Sequence, residues 1–180
     1  MLNQISPAKT ARARHEDAVD LLIGCHQRIR HFTAVAVKLA HAQGASPAEI
    51  REAAASVHRY YSVSLPLHEA DEDHTLHPRL AVVADEKLRH ALLAMADQHQ
   101  AIDGLIERLL PLLILVRSNP SAISEVGAEM CSITKRLDEA FRGHLEMEEE
   151  AIFPAIRNLL SESGRSEILG EMQARRKQGS

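Results

Sequence analysis

Apolar residues along the chain recur at intervals of three and four and do not alternate, which is the period of amphipathic helices rather than strands. Ala, Leu, Glu, Arg and Gln dominate, and Val, Ile and Thr rarely cluster, so propensity agrees with period. A first helix is predicted from about Ala13 to Gln43. Gly44-Ala45-Ser46-Pro47 stops it, with Ser46 able to cap and Pro47 able to occupy the first turn of the next helix. The second helix is predicted to reach His77 and stop at Pro78, the third to run from about Asp85 to Arg117, and the fourth from about Ser121 to between Asn158 and Leu160. A short polar fifth follows from Glu162 to Arg176. Pro66 and Pro111 fall inside the second and third helices and are expected to kink or open them, because proline lacks the N–H and crowds the preceding turn. Long helices on short loops predict an all-α fold, an antiparallel up-down-up-down four-helix bundle over residues 13–160. A flexible leader (1–12) precedes it and a C-terminal helix and tail (161–180) follow.

Composition narrows the class. The 180 residues are 45% apolar and 26% charged, enough for one domain with a sizeable core. Two cysteines cannot form a disulfide scaffold. A net charge of -4 gives no basic footprint for nucleic acid, and Lys9, Arg12 and Arg14 lead into no apolar signal core. The longest apolar run, Leu109 to Val116, contains Pro111 and falls far short of the roughly 20 residues that cross a bilayer. These features predict a cytoplasmic protein without nucleic-acid or membrane partners; a homodimer is compatible with them. The unusual count is 11 His beside 3 Phe, 2 Tyr and no Trp.

An internal repeat organises those histidines. The segment from His68 to Leu80 and the segment from His144 to Ile156 both read His, three residues, Glu, an acid, two residues, aliphatic, one residue, Pro, one residue, aliphatic. His26-Gln27-Arg28-Ile29 and His99-Gln100-Ala101-Ile102 echo each other in the first and third helices. Residues four apart share a helix face, so His68 projects with Glu72 and His144 with Glu148. His26 lies on a stripe with Val19, Leu22, Ile29 and Thr33, His99 with Leu92, Met95, Ile102 and Ile106, and His144 with Leu137, Phe141 and Ile152. All four helices therefore offer an imidazole to one interior. Uncompensated charges there would cost several kcal/mol each, for which a metal is the natural compensation. No thiolate stands at zinc spacing, His-Glu-x-x-His is absent, and the paired Glu-x-x-His of ferritin-like sites is missing. Four imidazoles and two carboxylates divide into two ions with shared carboxylates, a set suited to non-haem iron.

These residues resemble the hemerythrin-like, or HHE cation-binding, domains. The family pattern of a lone His, His-x-x-x-Glu, a lone His and His-x-x-x-Glu, one per helix, is matched by His26, His68/Glu72, His99 and His144/Glu148, and Pro78 and Pro154 match its aliphatic-x-Pro endings. The likeness covers about residues 13 to 160. It implies two Fe ions, one on His26 and His68 and one on His99 and His144, bridged by Glu72, Glu148 and an oxo or hydroxo group. Oxygen-carrying members use a fifth His one turn after the lone His of the third helix, where this chain has Asp103. The chain thus looks like the bacterial four-His, two-Glu members, some of which handle nitric oxide, peroxide or iron supply for iron-sulfur cluster repair. Repair proteins usually carry a cysteine in an N-terminal segment, and the leader here has none. A di-iron oxidoreductase, a dioxygen or nitric oxide binding or sensing module, and an iron donor all stay open, with the redox partner unspecified.

Other residues receive plainer expectations. Asp103 could ligate, cap a polar edge or, the favoured reading, support His99. Tyr61, two turns before His68 on the same stripe, is either core packing or a proton donor near the open coordination position. Cys25, about 100° off the ligand stripe, and Cys131 are expected to be core filler. His15, His31, His41, His58, His74, His77 and His90 are expected at the surface or its edge, and Glu149 and Glu150 as solvated acids beside Glu148.

Overall fold

In the computed structural model, which describes residues 17–178, four long helices form an antiparallel bundle with a fifth helix at the C-terminal end. The leader and the expected first turns from Ala13 lie outside the described residues. Helix α1 (Ala18–Ala40) begins where the Asp17 carboxylate accepts from the Asp20 N–H at 2.8 Å, satisfying one orphan donor of the first turn. Gly44, at φ +90°, turns the chain in a conformation that side chains resist. Ser46 and Glu49 then form a capping box that opens α2 (residues 47–80). Helix α3 (Glu86–Ser118) is capped by Asp85 onto the Leu88 N–H at 2.7 Å. It continues as α-helix through Pro111, so the opening expected there is absent. A 3-10 turn, Pro120–Ala122, leads into α4 (residues 123–159), and α5 (Glu162–Gln178) follows. Each of α1 and α3 packs against both α2 and α4, while α5 lies on α1 and the second half of α2.

Helices α2 and α4 are interrupted by π turns rather than ended by their prolines. In α2 the turns are Tyr60–Ser64 and Glu72–Leu76; in α4 the turn is Glu148–Ile152. The closing bond of each comes from the residue just before a proline: Leu65 to the Tyr60 carbonyl, His77 to Glu72, and Phe153 to Glu148. An α-helical proline would lose a bond and drive its ring into a carbonyl four residues back; the wider turn moves that carbonyl away. Pro66 therefore opens α2 locally, as expected. Pro78 does not stop the helix at His77, and one further turn, His77–Leu80, continues beyond it.

The interior is layered. One apolar cluster holds Ile29, Tyr61, Leu65, Ile102, Phe141 and Leu145, and the other holds Leu22, Leu76, Leu92, Met95, Ile152 and Phe153. Between them, on every long helix, sit buried polar residues: His26, His68, Glu72, His99, His144 and Glu148. The polar layer is enclosed by hydrophobic packing above and below, which fixes its side chains and keeps water out.

Candidate metal centre

Each helix brings its histidine to that layer almost without solvent contact; His99 is the most exposed at 7%. Nε2 of His26 lies 3.0 Å from Oε2 of Glu148, and Nε2 of His144 lies 3.5 Å from the same oxygen. Glu72 divides its oxygens, with Oε1 at 3.0 Å from His68 Nε2 and Oε2 at 3.1 Å from His99 Nε2. The six residues singled out from the sequence thus meet in one place. They form two overlapping groups, His26-His68-Glu72-Glu148 and Glu72-His99-His144-Glu148, in which donor atoms lie within 4.8 Å of one another. Both carboxylates belong to both groups.

Whether a cation fits can be judged from the pairing of these atoms. Both Glu148 oxygens, Glu72 Oε1 and Nε2 of His26 and His68 are buried at contact distances yet make no hydrogen bond. Orphaned polar atoms on this scale are costly, and their lone pairs are left for a cation. Burial raises the Glu148 carboxyl to about 8, with the charge of Glu72 adding to the effect. Burial lowers His144 to about 3, reinforced by the other histidines against the pull of Glu72. His68 is raised well above its ordinary value because the attraction of Glu72 overcomes desolvation, and the same pairing holds Glu72 well below the usual carboxylate range. Protons thus stand where positive charge is wanted.

The family model for the hemerythrin HHE cation-binding domain matches residues 17–156. This chain belongs to that family. A search of curated proteins found no match.

The hemerythrin site has an outer ring of partners that sequence reasoning missed. Glu149, expected in solvent, accepts from His26 Nδ1 at 2.8 Å and from Arg30 Nη2 at 2.8 Å. Asp73, at the matching place in the repeat, has Oδ1 3.4 Å from His99 Nδ1. Each His-x-x-x-Glu-acid helix therefore flanks one lone histidine on both nitrogens: Glu72 and Asp73 around His99, Glu148 and Glu149 around His26. The signal was in the repeat, in the acid after each Glu. Gln98 Oε1 accepts from His144 Nδ1 at 3.1 Å and had no such signal. A carboxylate or carbonyl on Nδ1 fixes the tautomer that leaves Nε2 free to ligate.

Asp103 is exposed on α3, within electrostatic reach of both His99 and Glu69. Tyr61 is 2% exposed, with its hydroxyl hydrogen-bonded to Thr33 Oγ1 at 3.1 Å and its ring stacked on Phe141. Tyr60 stacks on Phe32. Cys131 packs against His41 and the Ala40 carbonyl. Cys25 is more than filler: its sulfur accepts from Arg28 Nη2 at 3.1 Å and Arg176 Nη2 at 3.4 Å and interacts with His68. Arg175 and Arg176, on the helix read as merely polar, pair with fully buried Asp71, and Arg175 also bonds Thr75 Oγ1 at 3.0 Å. Helix α5 thereby clasps the segment of α2 that carries His68 and Glu72.

Proposed function

We propose that this hemerythrin domain holds a non-haem di-iron centre and uses it to bind or react with a small oxidant or diatomic molecule: peroxide, nitric oxide or dioxygen. His26 and His68 serve one iron, His99 and His144 the other, and Glu72 and Glu148 are shared. The observation that carries this reading is the pair of four-residue groups with both carboxylates in common. Imidazole and carboxylate without thiolate favour iron among redox-active ions, and such an ion supplies a Lewis acid with positions left for an external ligand.

The chain's own residues hold, orient and exclude. The apolar layers enclosing the site keep bulk water from the imidazoles. Glu149 and Gln98 keep two of the histidines in register, and Asp73 lies 3.4 Å from Nδ1 of a third, His99. Asp103, on the rim where an oxygen carrier has a fifth His, leaves the second group without that ligand and favours reaction over reversible carriage. Asp103 and Glu69 together form an acidic pair beside His99 able to hold a proton at the rim. Among the described residues no helix is long and apolar enough to cross a membrane. The test is metal analysis with an optical spectrum of protein purified in air. Two irons per chain with near-ultraviolet charge-transfer bands support the proposal; one zinc and a featureless spectrum refute it. A second reading, a binding or sensing module or an iron donor without turnover, is favoured if the iron-loaded protein forms a stable nitric oxide or dioxygen adduct and consumes no peroxide.

A further inference from the structure

Two of the four histidines have a hydrogen bond on Nδ1, His26 to Glu149 and His144 to Gln98, and His99 Nδ1 has Asp73 Oδ1 at 3.4 Å without a hydrogen bond. The fourth differs. His68, 2% exposed, has no hydrogen-bond partner on Nδ1, and besides Glu72 it interacts with the thiol of Cys25. Both residues line a cavity of about 260 Å³, walled also by Arg28, Tyr60, Ser64 and Arg176. At roughly 30 Å³ for a water in the liquid, that space admits a molecule the size of hydrogen peroxide with room to spare.

A thiol that only fills a core needs no cations, yet two guanidinium groups donate to this sulfur. Their N–H groups also stand ready for an oxygen added there, since guanidinium donors suit an oxyanion better than a neutral thiol. Cys131, the more exposed cysteine, has neither a guanidinium partner nor a place in this cavity.

We propose that Cys25 is a peroxide-oxidisable thiol, a sulfenylation site reached through this cavity and set against His68. The sulfur attacks one oxygen of hydrogen peroxide and forms an S–O bond while the O–O bond breaks. Sulfur gives up two electrons, the peroxide is reduced, and the thiol proton leaves with the departing oxygen as water. The product is the sulfenic acid, which a small external thiol can condense with, releasing water and forming a mixed disulfide. An oxygen added at this sulfur enters the cavity that His68 also lines and sets a new polar group beside that histidine. The sulfur chemistry needs no iron; only its effect on the centre rests on the proposed function.

The experiment exposes the full chain to hydrogen peroxide, traps sulfenic acid with dimedone and locates the adduct by mass spectrometry. It is run on protein as purified and again after chelation, with the helical circular dichroism signal confirmed in both. Cys25 is expected to label about tenfold faster than Cys131 in both preparations, and Arg28→Gln to slow Cys25 by about tenfold without changing Cys131. Faster labelling of Cys131, labelling of Cys25 only after urea unfolding, or an unchanged rate in Arg28→Gln would overturn the proposal. Absence of iron in the purified protein would defeat the di-iron reading alone, because the labelling result is read independently of metal content.

Discussion

Glu149 accepts a hydrogen bond from Nδ1 of His26 at 2.8 Å, joining residues 123 positions apart on the first and fourth helices. The ring is held on its outer edge by this carboxylate while Nε2 turns inward to Glu148. Losing such a partner frees the ring and lowers its basicity, so Glu149→Ala is expected to weaken metal binding by about 10–100-fold. Glu150→Ala, on an exposed neighbour, should leave it unchanged. Competition against a chelator of known affinity measures both, and equal affinities in the two variants would remove Glu149 from the site.

Metal uptake should strengthen as pH rises. The metal-free site keeps a proton on Glu148, raised to about 8 by burial and the charge of Glu72, and another on His68. A cation must displace them, so affinity is expected to climb from pH 6 through about pH 8, with proton release on binding. Calorimetry in buffers of different ionisation heat reads the proton count directly. An affinity independent of pH over that interval would mean that these groups do not ligate.

Arg175 and Arg176 are expected to matter more for stability than their place near the C-terminal end suggests. They are the cations paired with Asp71, which is fully buried. Replacing both with Gln leaves a buried carboxylate without its ion pairs and should cost about 3 kcal/mol. Asp71→Asn in the same background should recover most of that loss. Chemical denaturation of the double and triple variants tests the pairing, which fails if the added Asn brings no recovery.

Tyr61→Phe separates packing from chemistry. The hydroxyl bonds to Thr33, and its removal should cost about 1 kcal/mol while metal content stays the same. A fall of about tenfold in the rate with peroxide or nitric oxide, at equal metal loading, would give Tyr61 a role as proton donor. Unchanged rates would leave it as a core residue.

Much of this organisation is legible in the sequence. The helical period gives the bundle, and the thirteen-position repeat picks out His68, Glu72, His144 and Glu148. Lone histidines such as His26 and His99 gain meaning only from their echo of each other. The π turns were less visible, because an apolar stripe reports which side faces inward and not how the backbone closes its bonds. Their trace was nevertheless present: Tyr60, Glu72 and Glu148 each stand six residues before a proline. Glu149 was misread because one helical step of about 100° from a buried ligand reaches solvent as easily as a neighbouring helix. Gln98 and the arginines of α5 find their partners across helices, and so does Cys25 with Arg176, and no spacing within a single helix encodes that.

The π turns also set the rotational phase of the helices that carry the carboxylates. His68, Glu72, Leu76 and Leu80 are all buried, and so are His144, Glu148, Ile152 and Ile156, each set spaced by four. In an unbroken α-helix a spacing of four advances about 40° per step, so the fourth member would have wound roughly 120° away from the first. A wider turn placed between the second and third members takes back part of that winding, and imidazole, carboxylate and the two aliphatic residues stay on one inward line. The count of residues through each turn is therefore as fixed as their identity. Removing one residue between Glu72 and Leu76 would close the wide turn to an α turn and drive the Pro78 ring against the carbonyl four residues back, while leaving every ligand in the sequence.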